Sequence, residues 1–480
     1  MPTNEKPRVM LRVDGEDVPA IPGEPVAMAL WRAGKRVLAR SVKYHRPRGA
    51  ACFAGRCDGC LMRVDGRPSV RTCQVPCEEG LVVETQNTMG TARFDLLAAA
   101  DLAFPDGMNH HAMFTWAKPA NAIMQRIARE IAGVGTLPGE EQAPVPVQDL
   151  HVEVLIVGAG LAGLKMAERC AARGLKTWCI DEDEALGGWT RFEKPTEAHA
   201  SIAAAREAGA TLDVGHACVG IFDEADGQRI ALVHTSTGAL RCTFGSLILA
   251  CGRIEGAAAF DGCDLPGVIG AEAAQRLHQR GIALGEHVVI AGDLDVRGKE
   301  LARLATQLTR ESPSKVHGPV ALSEVLRARS SALFADEHGA LSSVVLRGES
   351  ERACDTLIVA PKTSAAYELA RQAGGATAFV EGVFELNMEG APSNVFAIGA
   401  LVGEYEASDL EETVDAISLD LETTFANDPD LGLGPQVGTR SGVETSERSE
   451  RRQSPDGGET RSEAERRGGR PAPLTKKGTP

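Results

Sequence analysis

Residues 152–163 read VEVLIVGAGLAG, and this stretch decides the fold of the larger part of the chain. Six mostly apolar residues predict a buried parallel strand that runs directly into a G-x-G-x-x-G loop and then into a helical pattern. In such a loop, Gly158 allows the tight turn, Gly160 lets the backbone approach a pyrophosphate, and Gly163 lets helix and strand pack closely. The stretch therefore predicts a Rossmann-like dinucleotide site at a helix N-terminus.

A second predicted strand extends this unit. Residues 176–180 are apolar apart from their first two members. They are followed directly by Asp181, eighteen residues after Gly163. This separation is close to the roughly 20 residues expected for a carboxylate that accepts a hydrogen bond from a ribose. Gly187 and Gly188 follow. We therefore add Asp181, Gly187 and Gly188 to the predicted cofactor-binding residues.

A further nucleotide-fold-like unit begins at residue 287 but lacks the phosphate loop. The strand-like run 287–292 is followed by Asp293, Leu294 and Asp295, so leucine stands at the position of the second glycine. Side-chain bulk and negative charge both oppose a pyrophosphate there. We expect this half to be structural.

Five of the twelve cysteines fall between residues 52 and 77. The spacing C-x4-C-x2-C-x12-C predicts a 2Fe-2S cluster, since its first three members have the spacing of plant-type ferredoxins. A hairpin turn at Asp65-Gly66 would bring the last member back to the loop. A zinc site and a redox disulfide remain alternatives, and Cys77 is a packing thiol or a competing fourth ligand. The predicted ligands are Cys52, Cys57, Cys60 and Cys73.

Residues 64–67 (VDGR) and 70–73 (VRTC) resemble the fourth-ligand hairpin of 2Fe-2S ferredoxin-like domains that are fused to, or partnered with, dehydrogenases. Residues 247–252 (LILACG) resemble the crossover segment of two-dinucleotide flavoprotein reductases, and 394–400 (NVFAIGA) resemble their flavin-closing motif. The resemblance implies that Gly252 and Gly399 border the cofactor. Ala400 replaces the aspartate that binds the ribityl chain of FAD in that family, so FAD and NAD both stay open.

Composition and length divide the 480 residues into four regions. We predict a mixed α+β and α/β protein, with a β-grasp ferredoxin-like 2Fe-2S domain at 1–90 and a helical connector with a Pro-rich linker at 91–149. A Rossmann-like two-dinucleotide (FAD/NAD(P)-binding) domain follows at 150–426, and 427–480 is predicted to be a disordered tail. The net charge of −15 argues against a nucleic-acid partner. Without a signal peptide or an apolar run long enough for a membrane helix, we expect a cytoplasmic protein that is not integral to a membrane.

The order of these parts resembles the N-terminal half of the sarcosine oxidase alpha subunit. It is also similar to the joined small subunits of hydrogen cyanide synthase and of opine or proline dehydrogenases. The resemblance implies an oxidoreductase subunit that passes electrons through its cluster, with a catalytic, amine- or amino-acid-oxidising flavoprotein subunit as partner and an electron acceptor protein or quinone beyond it. The alternatives are an autonomous NAD(P)H-dependent flavin oxidoreductase and a non-catalytic assembly subunit.

Other features are weaker. Lys43, His45, Arg46 and Arg48 form a basic segment that either docks an acidic partner, tunes the cluster or is simply solvated. Isoleucines at 123, 127 and 131 predict a packing helix. His110-His111 gives no metal spacing, and we identify no general acid–base pair and no nucleophile, so no catalytic residue is assigned.

Overall fold

The computed structural model describes residues 8–41, 46–88, 116–131, 144–224, 228–256, 258–326, 333–336, 339–347, 349–404 and 406–428. The predicted tail beyond residue 428, the histidines at 110–111 and the basic residues Lys43 and His45 lie outside these ranges.

The first stretch, residues 8–88, folds into a five-stranded sheet crossed by one helix. Its elements are β1 (Val9–Val13), β2 (Glu16–Ala20), α1 (Val26–Arg32), β3 (Ala39–Arg40), β4 (Pro47–Arg48), β5 (Leu61–Val64), β6 (Arg67–Arg71) and β7 (Val82–Glu84), with a 3-10 turn at Thr72–Gln74. The sheet order is β2-β1-β7-β5-β6. Asp14-Gly15 and Asp65-Gly66 both have positive φ angles, as two-residue hairpin turns require. The hairpin predicted at Asp65-Gly66 is present, and a second hairpin turns at Asp14-Gly15.

The second stretch, residues 116–250, builds a larger sheet around the glycine-rich loop. Its elements are α2 (Lys118–Ile131), β8 (Val147–Val157), α3 (Leu161–Ala172), β9 (Thr177–Asp181), α4 (Thr190–Glu193), α5 (Pro195–Glu207), β10 (Thr211–Val214), β11 (Ala217–Asp223), β12 (Arg229–Thr235) and β13 (Gly238–Leu249). The order is β10-β9-β8-β13-β12-β11, parallel from β10 to β13 and antiparallel beyond it. The parallel part is the predicted Rossmann-like unit.

The third stretch, residues 251–428, contains the degenerate second unit. Its elements are β14 (Arg253–Glu255), β15 (Val268–Gly270), α6 (Ala271–Gln279), β16 (His287–Gly292), α7 (Leu294–Glu311), β17 (Lys315–Ala321), α8 (Leu322–Leu326), β18 (Leu333–Ala335), β19 (Leu341–Val344), β20 (Arg352–Ala353), β21 (Thr356–Ala360), β22 (Thr363–Ala365), α9 (Glu368–Gln372), β23 (Ala376–Val380), β24 (Val383–Asn387), β25 (Val395–Ala397) and α10 (Ala407–Asn427). A four-stranded parallel sheet has the order β15-β21-β16-β17, and β25 joins the large sheet beside β13. β14 and β22 form a separate two-stranded antiparallel sheet.

One hydrophobic core crosses the predicted boundary between the cluster domain and the oxidoreductase domain. It contains Leu30 and Trp31 of α1 together with Leu277 of α6 and Ile290 of β16, all nearly or fully buried. The Trp31 indole N–H donates to the Ala283 carbonyl at 3.2 Å. The N-terminal sheet is therefore packed against the degenerate unit.

Two expectations about the connector need correction. The linker predicted to run to residue 149 ends earlier, because β8 begins at Val147 and pairs with residues 239–241 of β13. The helix predicted from the isoleucine stripe is present as α2, but Ile123 is 62% exposed, so its predicted packing is wrong at that position. Within the described part of the chain, no helix is both long and apolar enough to span a bilayer.

Candidate functional site

The four predicted ligand cysteines meet in one corner of the N-terminal sheet. Cys52 and Cys57 lie half-buried in the loop before β5, while Cys60 and Cys73 are buried. Antiparallel pairing of β5 with β6 brings the last two together, and Thr72 fixes them by donating both its backbone N–H and its hydroxyl to the Cys60 carbonyl, at 3.2 and 2.8 Å. The predicted hairpin thus delivers Cys73 to the loop.

The thiols are arranged as two pairs. Cys52 hydrogen-bonds to Cys57, and Cys60 hydrogen-bonds to Cys73. These bonds lower the pKa of Cys57 to about 5 and that of Cys60 to about 7, and they combine with burial to raise the pKa of Cys52 and Cys73. Among the described residues, no group of three or more His, Cys, Asp or Glu side chains is arranged so that it could hold one metal ion. A two-iron cluster with four cysteine ligands needs two thiolates at each iron, which is the pairing seen here.

The backbone of the loop also suits a cluster. The amides of Ala54 and Gly55 donate to the sulfurs of Cys52 and Cys73, at 3.4 and 3.3 Å. Gly55 has φ +73°, and a Cβ there would collide with the Gln74 side chain, so the turn needs glycine. Donors of this kind stabilise negative charge on cluster sulfurs.

Two cysteine alternatives remain to be compared with the structure, a Cys57–Cys60 disulfide and the role of Cys77. Every cysteine is a free thiol, so no Cys57–Cys60 disulfide is formed. Cys77 is 1% exposed, and burial raises its pKa to about 12. Its backbone pairs with Gly23 and Glu24, beside α1. This placement supports the interpretation of Cys77 as a packing thiol.

The glycine-rich loop connects β8 to α3 with the geometry expected from its sequence. Gly158 has φ +105°, and a Cβ there would clash with the backbone at Ala250. A Cβ at Gly163 would overlap the Gly158 carbonyl, so this glycine is needed for packing of α3 against the loop. Gly160 is different, since a Cβ there would meet nothing within 4 Å. Open space at this glycine, beside a helix N-terminus, fits a pyrophosphate.

Asp181 lies at the end of β9 but is held by the loop itself. One carboxylate oxygen accepts from the Ala159 amide at 2.7 Å and the other from the Asp183 amide at 2.9 Å. Burial raises the pKa of Asp181, partly offset by these two bonds. The ribose contact of Asp181 stays a prediction. The structure shows that the Asp181 carboxylate also fixes the loop.

Three of the four remaining predicted glycines, Gly187, Gly188 and Gly399, contact the same loop or the first turn of α3. Gly188 has φ +50°, and a Cβ there would come within 2.9 Å of the Gly160 Cα. Gly399 has φ +70°, and a Cβ there would meet Ala162 in the first turn of α3. The other two, Gly187 and Gly252, have φ +101° and +67°. The Gly187-Gly188 and Gly399 segments therefore lie against the glycine-rich loop and the first turn of α3.

The corresponding position of the degenerate unit is filled by the chain itself. Asp293 caps α7, its carboxylate accepting from the Val296 amide at 3.1 Å. Arg297 in the first turn is only 6% exposed and pairs with Glu255 at 2.6 Å and Glu300 at 2.5 Å. The helix end that would face a phosphate thus already holds a carboxylate, which supports the predicted structural role.

The described members of the basic segment bind within the chain. Arg48 pairs with Asp264 at 2.6 Å, and Arg46 lies 4.0 Å from the same carboxylate. Asp264 belongs to the oxidoreductase part, so at least Arg48 serves an internal contact rather than a solvated loop.

Sequence reasoning missed a set of charged contacts between the cluster loop and the oxidoreductase part. Arg56, next to Cys57, reaches Glu272 at 3.3 Å and Glu182 at 3.6 Å. The Gly270 amide donates to the Ala51 carbonyl at 3.1 Å. No local pattern indicates these contacts, because they join residues more than 120 positions apart.

Comparison with known proteins supports both domains. Residues 6–88 match a family model described as a 2Fe-2S iron-sulfur cluster binding domain, and residues 156–215 match an NAD(P)-binding Rossmann-like domain. Fold and matches together define a chain with a 2Fe-2S cluster binding domain followed by an NAD(P)-binding Rossmann-like domain.

The sarcosine oxidase alpha subunit of Rhizobium meliloti (strain 1021) is 29% identical over 183 residues, covering 36% of this chain and 18% of the relative. The hydrogen cyanide synthase subunit HcnA of Pseudomonas aeruginosa is 39% identical over 85 residues, covering 18% of this chain and 77% of the relative. Through its 2Fe-2S domain, the chain belongs to the family of the HcnA subunit. It spans less than half the length of the sarcosine oxidase alpha subunits that it matches.

The structure also resembles the crystal structure of L-proline dehydrogenase from P. horikoshii. The TM-score is 0.63 at 18% identity, and the superposition covers 88% of this chain and 75% of that one. At this identity the likeness concerns the fold. Most of this chain therefore has a fold already seen in a solved structure.

Proposed function

We propose that this chain is the electron-transfer, nucleotide-binding subunit of a multi-subunit amine or amino-acid oxidase or dehydrogenase. The observation that carries the proposal is the arrangement of Cys52, Cys57, Cys60 and Cys73 as two thiol pairs in one amide-lined loop, within the same chain as an open Gly160. A two-iron cluster supplies a one-electron carrier.

The chain's own residues hold the two cofactors and contribute little to substrate chemistry. The four cysteines would bind the irons, and the amides of Ala54 and Gly55 would stabilise the sulfur charge. Gly158, Gly160 and Gly163, with the N-terminus of α3, would hold the dinucleotide phosphates. The partner would be a flavoprotein that oxidises a substrate of the sarcosine or proline type, with an acceptor protein or quinone receiving the electrons. The eight cysteines outside the proposed cluster are free thiols, which suits a reducing compartment, and we place the complex in the cytoplasm.

The capped second unit favours this function over an autonomous NAD(P)H-dependent reductase. Such an enzyme needs a second nucleotide site, and Asp293 already fills the corresponding helix end. The structure offers no comparable observation in favour of a purely structural subunit.

The test is turnover with and without the partner. The anaerobically purified chain should be reduced by dithionite and should pass its electron to an artificial acceptor. It should not oxidise sarcosine or proline alone, and it should gain turnover when co-purified with an amine-oxidising flavoprotein subunit. Amine oxidation by the chain alone, or direct reduction by NADPH, would contradict the proposal.

A further inference from the structure

A continuous set of ion pairs joins the cluster loop to the nucleotide loop. At the cluster end, the Arg56 side chain contacts Glu272 in the first turn of α6 at 3.3 Å. One turn further along α6, Arg276 contacts the same Glu272 at 2.8 Å. Arg276 also makes two hydrogen bonds, of 3.0 and 2.8 Å, to Asp183. Glu272 and Arg276 together therefore link Arg56, beside Cys57, to Asp183, two positions beyond Asp181.

At the nucleotide end, Asp183 is tied to the second glycine pair. Arg191 contacts Asp183 at 2.6 Å and donates to the Ala185 carbonyl at 3.0 Å. The Arg191 amide donates to the Gly187 carbonyl at 3.3 Å. Since Gly188 lies against Gly160, the position of Asp183 bears directly on the loop that would hold the pyrophosphate.

Burial makes these charges sensitive to one another. The side chains of Asp183, Arg191, Arg276 and Glu272 are only 12–18% exposed, so solvent and salt screen their interactions weakly. Burial alone would raise the pKa of Asp183, but the bonds from Arg276 and Arg191 outweigh it and lower the pKa to about 2. Glu272 is itself held in place, because its amide donates to the buried Glu255 carboxylate at 3.0 Å.

We propose that Arg276 is a positioning residue that couples dinucleotide binding to the charge state of the cluster through Glu272 and Arg56 on one side and Asp183 on the other. This inference rests on the proposed function, since it needs both cofactors. Reducing the cluster adds one negative charge beside Arg56, which draws that guanidinium away from Glu272. Glu272 then competes more strongly with Asp183 for Arg276, and the nucleotide loop loses part of its support.

The sign of the coupling follows. The reduced cluster weakens binding of the anionic dinucleotide, and by thermodynamic reciprocity the bound dinucleotide lowers the midpoint potential of the cluster. We expect an affinity change of about fivefold, at the lower end of typical coupling between sites. For a one-electron couple this corresponds to about 40 mV, at 59 mV per tenfold.

The experiment is an EPR-monitored redox titration of the purified full chain with dithionite. It is run on protein freed of nucleotide by gel filtration in high salt, and then with saturating NAD⁺ or FAD in separate titrations. Wild-type protein should show the lower potential with whichever dinucleotide binds, while Arg276→Met and Glu272→Gln should lose most of that difference. The control Arg303→Met removes an equal charge from an arginine that is 54% exposed and paired with Glu193, and it should behave as wild type.

The outcomes separate this inference from the proposed function. Wild-type protein without a reducible cluster, or without dinucleotide binding, would refute the proposed function. A functional wild type whose potential does not respond to the dinucleotide would refute the coupling. An unchanged response in both Arg276→Met and Glu272→Gln would show that the coupling does not pass through these residues. The milder Glu272→Gln keeps the test valid if Arg276→Met fails to fold.

Discussion

Gly160 and Gly163 belong to the same loop, yet a methyl group added at each should have different consequences. Gly160 has φ −72°, which alanine adopts freely, and an added Cβ would meet no atom within 4 Å. A Cβ at Gly163 would lie well under 3.0 Å from the Gly158 carbonyl oxygen, so α3 would have to move away from the loop. Gly160→Ala therefore tests dinucleotide binding, and Gly163→Ala tests the packing of α3 against the loop.

The magnitudes follow from these surroundings. Gly160→Ala should cost about 1 kcal/mol or less of folding free energy, because alanine is a poorer N-cap residue than glycine. That is a Tm shift of about 2 °C. The same methyl would occupy the space where the pyrophosphate approaches, so dinucleotide affinity should fall at least about tenfold, or ~1.4 kcal/mol. Gly163→Ala should cost about 3 kcal/mol or more of stability, because the overlap is with backbone.

The assay combines nucleotide content, by acid release and chromatography, with thermal unfolding of the same preparations. We expect Gly160→Ala to lose dinucleotide with a Tm lower by only about 2 °C, and Gly163→Ala to show a clearly larger fall in Tm. Full dinucleotide retention in Gly160→Ala would refute the placement of the phosphates, and equal Tm losses in both variants would refute the packing argument.

Three further predictions concern the cluster domain. Cys73→Ser should lose most of the bound iron by elemental analysis, whereas Cys77→Ser should retain it, since only the former thiol belongs to a pair. In metal-free protein, Cys57 should react with iodoacetamide at pH 7 and lose reactivity as the pH falls through about 5, because its pKa is about 5 and only the thiolate reacts. Cys77, whose burial raises its pKa to about 12, should stay unmodified by mass spectrometry. Trp31→Ala should cost about 3–5 kcal/mol of folding free energy, because its indole lies in the core shared with α6. Calorimetry should show a single transition at a lower temperature, and two separate transitions would contradict the shared core.

Local sequence signals predicted the parts of the molecule that local geometry determines. Asp14-Gly15 and Asp65-Gly66 need left-handed backbone, and the glycine-rich loop needs both a tight turn and close packing, so each is visible in a short window. The cysteine spacing predicted the loop for the same reason. These signals were sufficient for the fold class, whereas the cofactor contacts of the predicted site residues stay a prediction.

Contacts between distant segments could not be predicted in this way. The sequence gives no indication that Val147–Asp149 extend β8, because their partners lie about ninety residues later in β13. It also does not show that Arg56 meets Glu272, or that Arg276 bonds to Asp183, since pairing of charged residues depends on the packing of α6 beside the cluster loop. Asp181 was recognised by its spacing, but its bond to the Ala159 amide depends on the finished loop.

The central claim is that four thiols in two pairs hold a pair of irons. The most direct measurement is the iron, zinc and acid-labile sulfide content of protein purified without air, together with the EPR spectrum after dithionite reduction. We expect two irons and two sulfides per chain, as the 2Fe-2S domain match implies, and an EPR signal from one unpaired electron. Zinc without sulfide in the wild-type protein would contradict the account.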